Sequence, residues 1–588
     1  MLKKFFISML GTMAGIWIST ALVIFGGLVL VGSVIGSASI ESDIKVDKHS
    51  ILYLPLSGEV IEREQEQTLM QFLQNYAEQP LTLESMLLSL RAAADDDRIE
   101  GLYIDCSGAY IGPASRQELI QEINNFKLSG KWVVAYSDSY SQGDYMLATA
   151  ADSLFLNPMG SVDIHGMGAS TMFFKGLLDK LDIKMQILKV GTFKSAVEPF
   201  MLSSMSEPAR LQLQQYIDSI WNTMSETMAV NRNIPVDSIR RWAAKPISQD
   251  RAETFVEKGL VTSLKYRRQA EDYMRDLTGI KAGESLRLVS PADYMAVCDD
   301  FDYSSDDRHV AVYYAFGDIV DAGDEGIVGT TVVNDIVALA NDNNVEGLVL
   351  RVNSPGGSAF ASEQIWEALE YFKSTGKPYY VSMGDYAASG GYYISCGADT
   401  IFADSNTITG SIGVFGMIPD LSGLMTNKFG ITFSTVETNP NALPINLFQP
   451  MTAAQKDAMQ KSVEDIYDLF TRRVAAGRHM SQDSVKAIAE GRVWIASRAI
   501  QLGLVDRIGS LDQAVAYMLD DLGMDTDQVV RYPACKEEMW MKFIRQAGIE
   551  GMKVGQDMDA ETVEAIRTVK KLRDMNPVQA RMATFRIE

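Results

Sequence analysis

The sequence is written twice. Gly101-Leu102-Tyr103-Ile104-Asp105 recurs as Gly347-Leu348-Val349-Leu350-Arg351, Gln142-Gly143-Asp144-Tyr145 as Ser389-Gly390-Gly391-Tyr392, and Gly160-Ser161-Val162 as Gly410-Ser411-Ile412, at an offset of 246 to 250 residues. Units this long are duplicated domains rather than solenoid repeats. Each copy opens on a short apolar run, residues 51–56 and 309–314. Two more follow in each, at 101–106 and 130–136 in the first copy and at 347–353 and 376–382 in the second, with helical stretches between. Short apolar runs bounded by glycine are what parallel strands buried on both faces require. The pattern therefore predicts an α/β fold with crossover connections in each copy. The copies have also diverged: Gln142 stands where the second copy has Ser389. That asymmetry suggests one site assembled from two unequal halves.

At 588 residues the chain is too long for one ordinary core. Its 47% hydrophobic and 22% charged residues fit a folded protein. A net charge of −23 lacks the basic footprint of a nucleic-acid binder. Cys106, Cys298, Cys396 and Cys535 are far apart and form no CxxC, so they read as small buried hydrophobes rather than a disulfide framework. The four histidines show no ligand spacing, and no metal or other cofactor is expected.

Lys3 and Lys4 precede an uncharged stretch of 36 residues, 5–40. A transmembrane helix needs about 20 apolar residues, whereas the apolar region of a cleaved signal peptide has about 7–15. A retained anchor is therefore expected, although Gly36-Ser37-Ala38-Ser39 resembles a cleavage site. The basic pair favours a cytoplasmic N-terminus, with the rest of the chain across the membrane. The expected organisation is a stub and anchor at 1–45, a first repeat at 46–300, a second at 301–530, and a tail at 531–588 with helical spacing over 562–572. Residues 278–307 read as a polar connector between the repeats.

The chemistry concentrates in a few segments. Ser389 precedes Gly390-Gly391 where an apolar run passes into a helical one. A serine there has an uncrowded hydroxyl, and the helix start offers free N–H groups to an oxyanion. Its plain alternative is an N-cap serine. Asn353-Ser354-Pro355-Gly356-Gly357-Ser358 ends the preceding strand, and the N–H groups of Gly356 and Gly357, with that of Gly390, are candidates for an oxyanion hole. The first copy has no Pro-Gly-Gly there. The stretch 409–415 after Ser389 holds no histidine; His165 lies in the corresponding stretch of the first copy, where Gln142 replaces the serine, and His309 and His479 fall outside the repeated motifs. Lysine is the better base. Lys194, in Gly191-Thr192-Phe193-Lys194-Ser195-Ala196-Val197-Glu198-Pro199-Phe200, has no counterpart in the second copy. To act it must be neutral, which burial among Phe193, Val197 and Phe200 would favour. The alternative is a surface lysine paired with Glu198.

These segments, together with Asn157–Met167 and Gly491–Asp506, resemble the long, duplicated form of the signal peptide peptidase A family. The resemblance runs from the anchor to about residue 520. It implies two tandem Clp protease/crotonase-like α/β domains behind a transmembrane helix, with a Ser/Lys dyad. It assigns Ser389 as nucleophile, Lys194 as general base (with Phe193 in place of the family's tyrosine) and Ser411 as the hydroxyl that orients the lysine. It further implies a single-pass protein of the bacterial inner membrane with its catalytic domains outside the cytoplasm. Such a protein acts on signal-peptide remnants and similar apolar peptides, next to lipid, as a homotetramer. The alternatives are a catalytically silent membrane scaffold of the same fold and a crotonase-like acyl-CoA enzyme, which needs no Ser/Lys pair.

Overall fold

The computed structural model describes residues 46–64, 81–281, 283–298, 305–323, 325–533, 578–583 and 586–587. The expected anchor at 5–40, Cys535 and the helical stretch at 562–572 lie outside them. Among the described residues no helix is long and apolar enough to cross a membrane. All of them but Glu64 belong to one compact unit.

The first repeat is a parallel sheet built from β1 (Ser50–Ile61), β2 (Leu81–Thr82), β3 (Ile99–Tyr110), β4 (Trp132–Ser137) and β5 (Ser153–Leu156). Two strands follow outside this sheet, β6 (Ala169–Ser170) and β7 (Lys184–Lys189). The sheet is completed by β8 (Ser263–Leu264) and β9 (Arg287–Val289), in the order β2-β1-β3-β4-β5-β8 with β9 beside β1. Leu102, Ile104 and Cys106 face one core and Tyr103 the other, the period-two alternation of a strand buried on both sides.

The second repeat uses β10 (His309–Phe316), followed by β11 (Ile319–Val320) and β12 (Ile327–Val328). Next come β13 (Val345–Ser354), β14 (Gly356–Ser358), β15 (Tyr379–Ala388), β16 (Thr400–Ala403), β17 (Ile408–Gly410) and β18 (Phe415–Asp420). Then come β19 (Val493–Ile495), β20 (Arg507–Ile508) and β21 (Val529–Tyr532). Its main sheet runs β19-β17-β15-β13-β10-β21, with β16 beside β15 and β20 beside β16. Near the C-terminus are β22 (Val578–Arg581) and β23 (Arg586–Ile587).

The duplication reaches individual hydrogen bonds. Tyr145 and Tyr392 donate to the carbonyls of Leu260 and Leu504, at 2.8 and 3.0 Å. The amides of Val133 and Tyr379 donate to the carboxylates of Asp152 and Asp399, each at 2.9 Å. Lys131 and Lys377 each bind the carbonyls that end the preceding helix, at Asp96 and Asp342 respectively.

Residues 278–307 differ from the expected connector. Arg287–Val289 adds a strand to β1, and the helix Pro291–Val297 buries Tyr294, whose hydroxyl donates to Asp96 Oδ2 at 2.9 Å. The apolar Val289 and Tyr294 go into the first repeat's core, so much of the segment is part of that domain.

Among the contacts that join the repeats, three align the strands around the site. β7 pairs antiparallel with β18, from Lys184↔Asp420 to Lys189↔Phe415, within a third sheet of order β12-β11-β14-β22-β18-β7. Asp385, on β15, caps the helix α2 (Pro113–Leu128), which follows α1 (Leu83–Asp95). It accepts the N–H of Ala114 at 2.8 Å and of Ser115 at 3.2 Å, and the Ser115 hydroxyl at 2.6 Å. The local N-cap residue, Gly112, has no side chain to do this, and a Cβ there would strike the Asp385 carboxylate.

The third contact is ionic. Arg351, on β13, is 1% exposed and binds Glu118 of α2 through both terminal nitrogens, at 2.9 and 2.8 Å. It also binds Glu62 at 3.2 Å. Burial pushes the Glu118 carboxyl upward, and Arg351 is its main opposing influence. Arg351→Ala would leave two carboxylates buried without their cation. It is expected to cost roughly 3–5 kcal/mol, read as a lower denaturation midpoint.

Candidate active site

Ser389 sits at the N-cap of a short helix α6 (Gly390–Ser395), directly after β15; the helix α5 (Ala359–Ser374) precedes that strand. Its backbone is strained, at φ 56° and ψ −111°, a conformation that a non-glycine residue keeps only where its surroundings enforce it. Its N–H donates to the Gly410 carbonyl at 2.8 Å, and its own carbonyl accepts from Tyr393 N–H at 2.8 Å. The side chain caps no helix N–H, so the plain capping role is not what holds it.

β7 brings Lys194 from the other repeat. Its Nζ lies 2.7 Å from Ser389 Oγ, 3.0 Å from the Ser411 carbonyl and 3.2 Å from Ser411 Oγ. Lys194 and Ser411 are 1% exposed and Ser389 is 0% exposed. Burial drives the amine well below the ordinary lysine value. Glu198 does not pair with it. That carboxylate accepts the N–H and hydroxyl of Ser206, the N-cap of the helix α4 (Glu207–Arg232), at 3.0 and 2.6 Å; α3 (Gln142–Ala148) lies earlier in the same repeat. The apolar wall also differs in part from expectation. Phe193 lines a pocket beside Lys194 with Pro199, Leu213, Tyr216 and Val493, whereas Val197 and Phe200 pack against Phe415 and Met417.

The glycines divide their work. Gly356, at φ 99°, gives its N–H to Ser354 Oγ at 3.1 Å, so of the three expected donors it is already engaged. Its missing side chain leaves space: a Cβ there would fall 2.7 Å from Gly390 N and 2.2 Å from the carbonyl oxygen of Ala580. A Cβ on Gly390 would lie 3.1 Å from Gly357 N and 3.1 Å from the same oxygen. Gly356, Gly357 and Gly390 thus form a cradle at the start of α6.

Two residues without a marked chemical role in the sequence, Gly491 and Glu490, shape the lysine's surroundings. Gly491, at φ 74°, packs against its backbone, and a Cβ there would fall 2.6 Å from Lys194 Cβ. Glu490 holds the turn before it: its carbonyl accepts from Phe193 N–H at 2.9 Å and its carboxylate from Thr192 N–H at 2.9 Å. Gly491 opens the segment Gly491–Asp506 but has no side chain to mark a role, and Glu490 lies just before that segment.

In the first repeat the corresponding place is filled by its own side chains. Gln142 Oε1 accepts from the amides of His165 and Gly166, both at 2.9 Å, and its Nε2 donates to the Gly166 carbonyl at 2.8 Å. Asp144 accepts from the amides of Gly108 and Ala109, at 3.1 and 3.3 Å. The His165 ring meets Asp163 at 3.1 Å and has no part in the Ser389 site.

A serine at a forced strand-to-helix turn, an amine as its neighbour and a glycine cradle define a serine peptidase built from two α/β repeats. The comparisons agree. The profile of Peptidase family S49 matches twice, over residues 125–281 and 371–525, and that of Clp protease matches residues 323–407. The chain is 39% identical to Protease 4 of Haemophilus influenzae, over 73% of this chain and 71% of that protein. It is 35% identical to Protease 4 of Salmonella typhi, over 74% and 71%. It is 26% identical to the chloroplastic serine protease SPPA of Arabidopsis thaliana, over 80% and 69%. The chain belongs to Peptidase family S49, with the family's domain present in two copies.

Gly491→Ala tests the fit around the lysine. The added methyl must push Lys194 aside, and a displacement near 1 Å costs on the order of 10²-fold. A loss of that size in kcat/KM, together with a lower denaturation midpoint because a φ of 74° strains any side chain, is the expected result.

Proposed function

We propose that this S49 peptidase is an endopeptidase working through a dyad of Ser389 and Lys194, with the lysine from the first repeat (46–300) and the serine from the second (301–530). The observation that carries the reading is the 2.7 Å approach of Lys194 Nζ to Ser389 Oγ in a buried site. Neutral Lys194 accepts the serine proton as Oγ attacks the peptide carbonyl. The N–H groups of Gly357 and Gly390 face the tetrahedral oxyanion, and Gly356 leaves room for it. The protonated lysine then passes its proton to the leaving amine. Water, deprotonated by Lys194, releases the acyl group from Ser389. Ser411 holds the amine between its carbonyl and hydroxyl, which aims the lone pair at Ser389.

The same proposal takes residues 5–40 as a single-pass anchor in a bacterial inner membrane, with both repeats on the extracytoplasmic side. The substrates are signal-peptide remnants and similar apolar peptides beside the lipid, and the assembly is a homotetramer. The long uncharged stretch after Lys3 and Lys4 supports the anchor, and the apolar pocket beside Lys194 suits such peptides.

Ser389→Ala and Lys194→Ala are each expected to lower kcat/KM on a signal-peptide-derived substrate by about 10⁴-fold or more. Near wild-type turnover in either variant removes the dyad. The pH profile follows from the base. Lys194 works deprotonated and its pKa is lowered by burial, so kcat/KM rises with pH through that lowered value and is level above it. The rate of Ser389 labelling by a fluorophosphonate should trace the same limb, and an activity that instead falls across it would contradict the assignment.

A further inference from the structure

A second cavity, of about 390 Å³, shares a wall with the pocket beside Lys194. It lies between α4 of the first repeat and β17 and β19 of the second. Gln212, Tyr216 and Val493 line both spaces, whereas Lys194, Ser389 and Ser411 do not line the second. The Gln212 amide is wholly engaged in holding that wall. Its Nε2 donates to the Phe193 carbonyl at 3.2 Å and to Ser195 Oγ at 2.9 Å, and its Oε1 accepts from Val493 N–H at 3.2 Å.

The charge in this cavity is positive and uncompensated. Arg492 and Arg498 line it and no carboxylate does, in a chain whose net charge is −23. Among the described residues neither guanidinium forms an ion pair. Arg498 donates to Gln501 Oε1, and Arg492 to Gln215 Oε1 at 3.2 Å. The Arg492 guanidinium is packed on Phe193 and Trp494, 4.9 and 4.1 Å from their ring centroids. Ring stacking offsets part of its charge but satisfies none of its in-plane N–H donors. Its Nε is buried with no hydrogen-bond partner among the described residues. A buried donor left in that state is costly until a partner arrives. Burial, and after it the Arg498 cation, lowers the Arg492 pKa, the mark of two like charges facing one space.

The rest of the lining selects the ligand. Ile408, Trp494 and Ile495 give the cavity apolar walls, and its volume lies within the range of small-molecule sites. A guanidinium's planar fork matches a carboxylate. We infer that this cavity is a binding site for a carboxylate carried on a small apolar body, held by Arg492 and Arg498 with the Gln215 amide as a further donor. Two sources share that chemistry: the C-terminal residue of an apolar peptide and a short fatty acid. The site is separate from the dyad yet tied to it, because the Arg492 carbonyl accepts Ser411 N–H at 2.7 Å. None of its groups depends on Ser389 being the nucleophile.

Titration calorimetry on the full-length chain in detergent tests the site. N-acetyl-leucine and hexanoate probe the two sources, with N-acetyl-leucinamide, hexanamide and inorganic phosphate as controls. At least one acid is expected to bind, and its amide about tenfold more weakly or worse, since the amide offers the arginines no charge. Arg492→Gln and Arg498→Gln are each expected to raise the Kd of that acid by about tenfold or more. Arg498 is exposed, so its variant keeps the test decisive should Arg492→Gln fail to fold. Binding of N-acetyl-leucine alone supports the site and names a peptide C-terminus as its ligand; binding of hexanoate alone supports it and names a fatty acid. Failure of both acids to bind, equal binding of acid and amide, or phosphate binding as tight as either acid would overturn the carboxylate site. So would a Kd unchanged by Arg498→Gln. N-acetyl-leucine that competes with a peptide substrate equally in wild type and in Arg498→Gln would place it beside Ser389 instead and likewise overturn the inference.

Discussion

The ladder between β7 and β18 is the contact on which the site depends. It ties a strand of the first repeat to one of the second over six residue pairs and leads directly to Lys194. A buried amine 2.7 Å from a hydroxyl tolerates little sliding, and a one-residue slip in the ladder would turn every side chain of β7 to the opposite face. The other joints secure the same alignment from behind. Asp385, four residues before Ser389, caps a helix of the first repeat, while Arg351 neutralises carboxylates carried by β1's end and by α2. Arg351 and Asp385 sit on β13 and β15, the neighbouring strands that lead to the Ser389 turn.

The first copy shows how a duplicated site is retired. Gln142 satisfies the loop that holds His165 and Gly166, and the Asp144 carboxylate accepts the amides of Gly108 and Ala109. An anion already held by these amides competes with any oxyanion, because both use the same donors. What the first repeat retains is the β7 edge and the loop after it, clasped by Glu490 and Gly491 of the second repeat. Burial of Lys194 is correspondingly a property of both repeats: Gly413 and Gly491 come from one, Phe193 from the other.

Much of this architecture was legible in the chain. The paired apolar runs fall on β1, β3 and β4 and on β10, β13 and β15, because strands buried on both faces leave an unmistakable continuous signature. Motif and asymmetry single out Ser389 and Lys194, the family resemblance assigns Ser411, and the structure brings all three together. Other features were not legible. The segment 278–307 reads as polar, yet Val289 and Tyr294 place part of it in the core. Gly356 promised a free N–H, but Ser354 Oγ, two residues earlier, takes it. Gly491 and Ala580 carry no chemical mark, since their contribution is the absence of bulk at a contact between distant parts of the chain.

By itself the sequence determined two α/β units, the parallel character of their strands and the few residues with chemistry to offer. These follow from local periodicity and residue type. Only the tertiary structure decided that the lysine of one unit meets the serine of the other, that the amine is buried enough to favour its neutral form, and that residues 578–582 lie against the same glycines. The physical reason is that pairing between edges, desolvation and fit depend on which surfaces meet across hundreds of residues, and no local pattern encodes that.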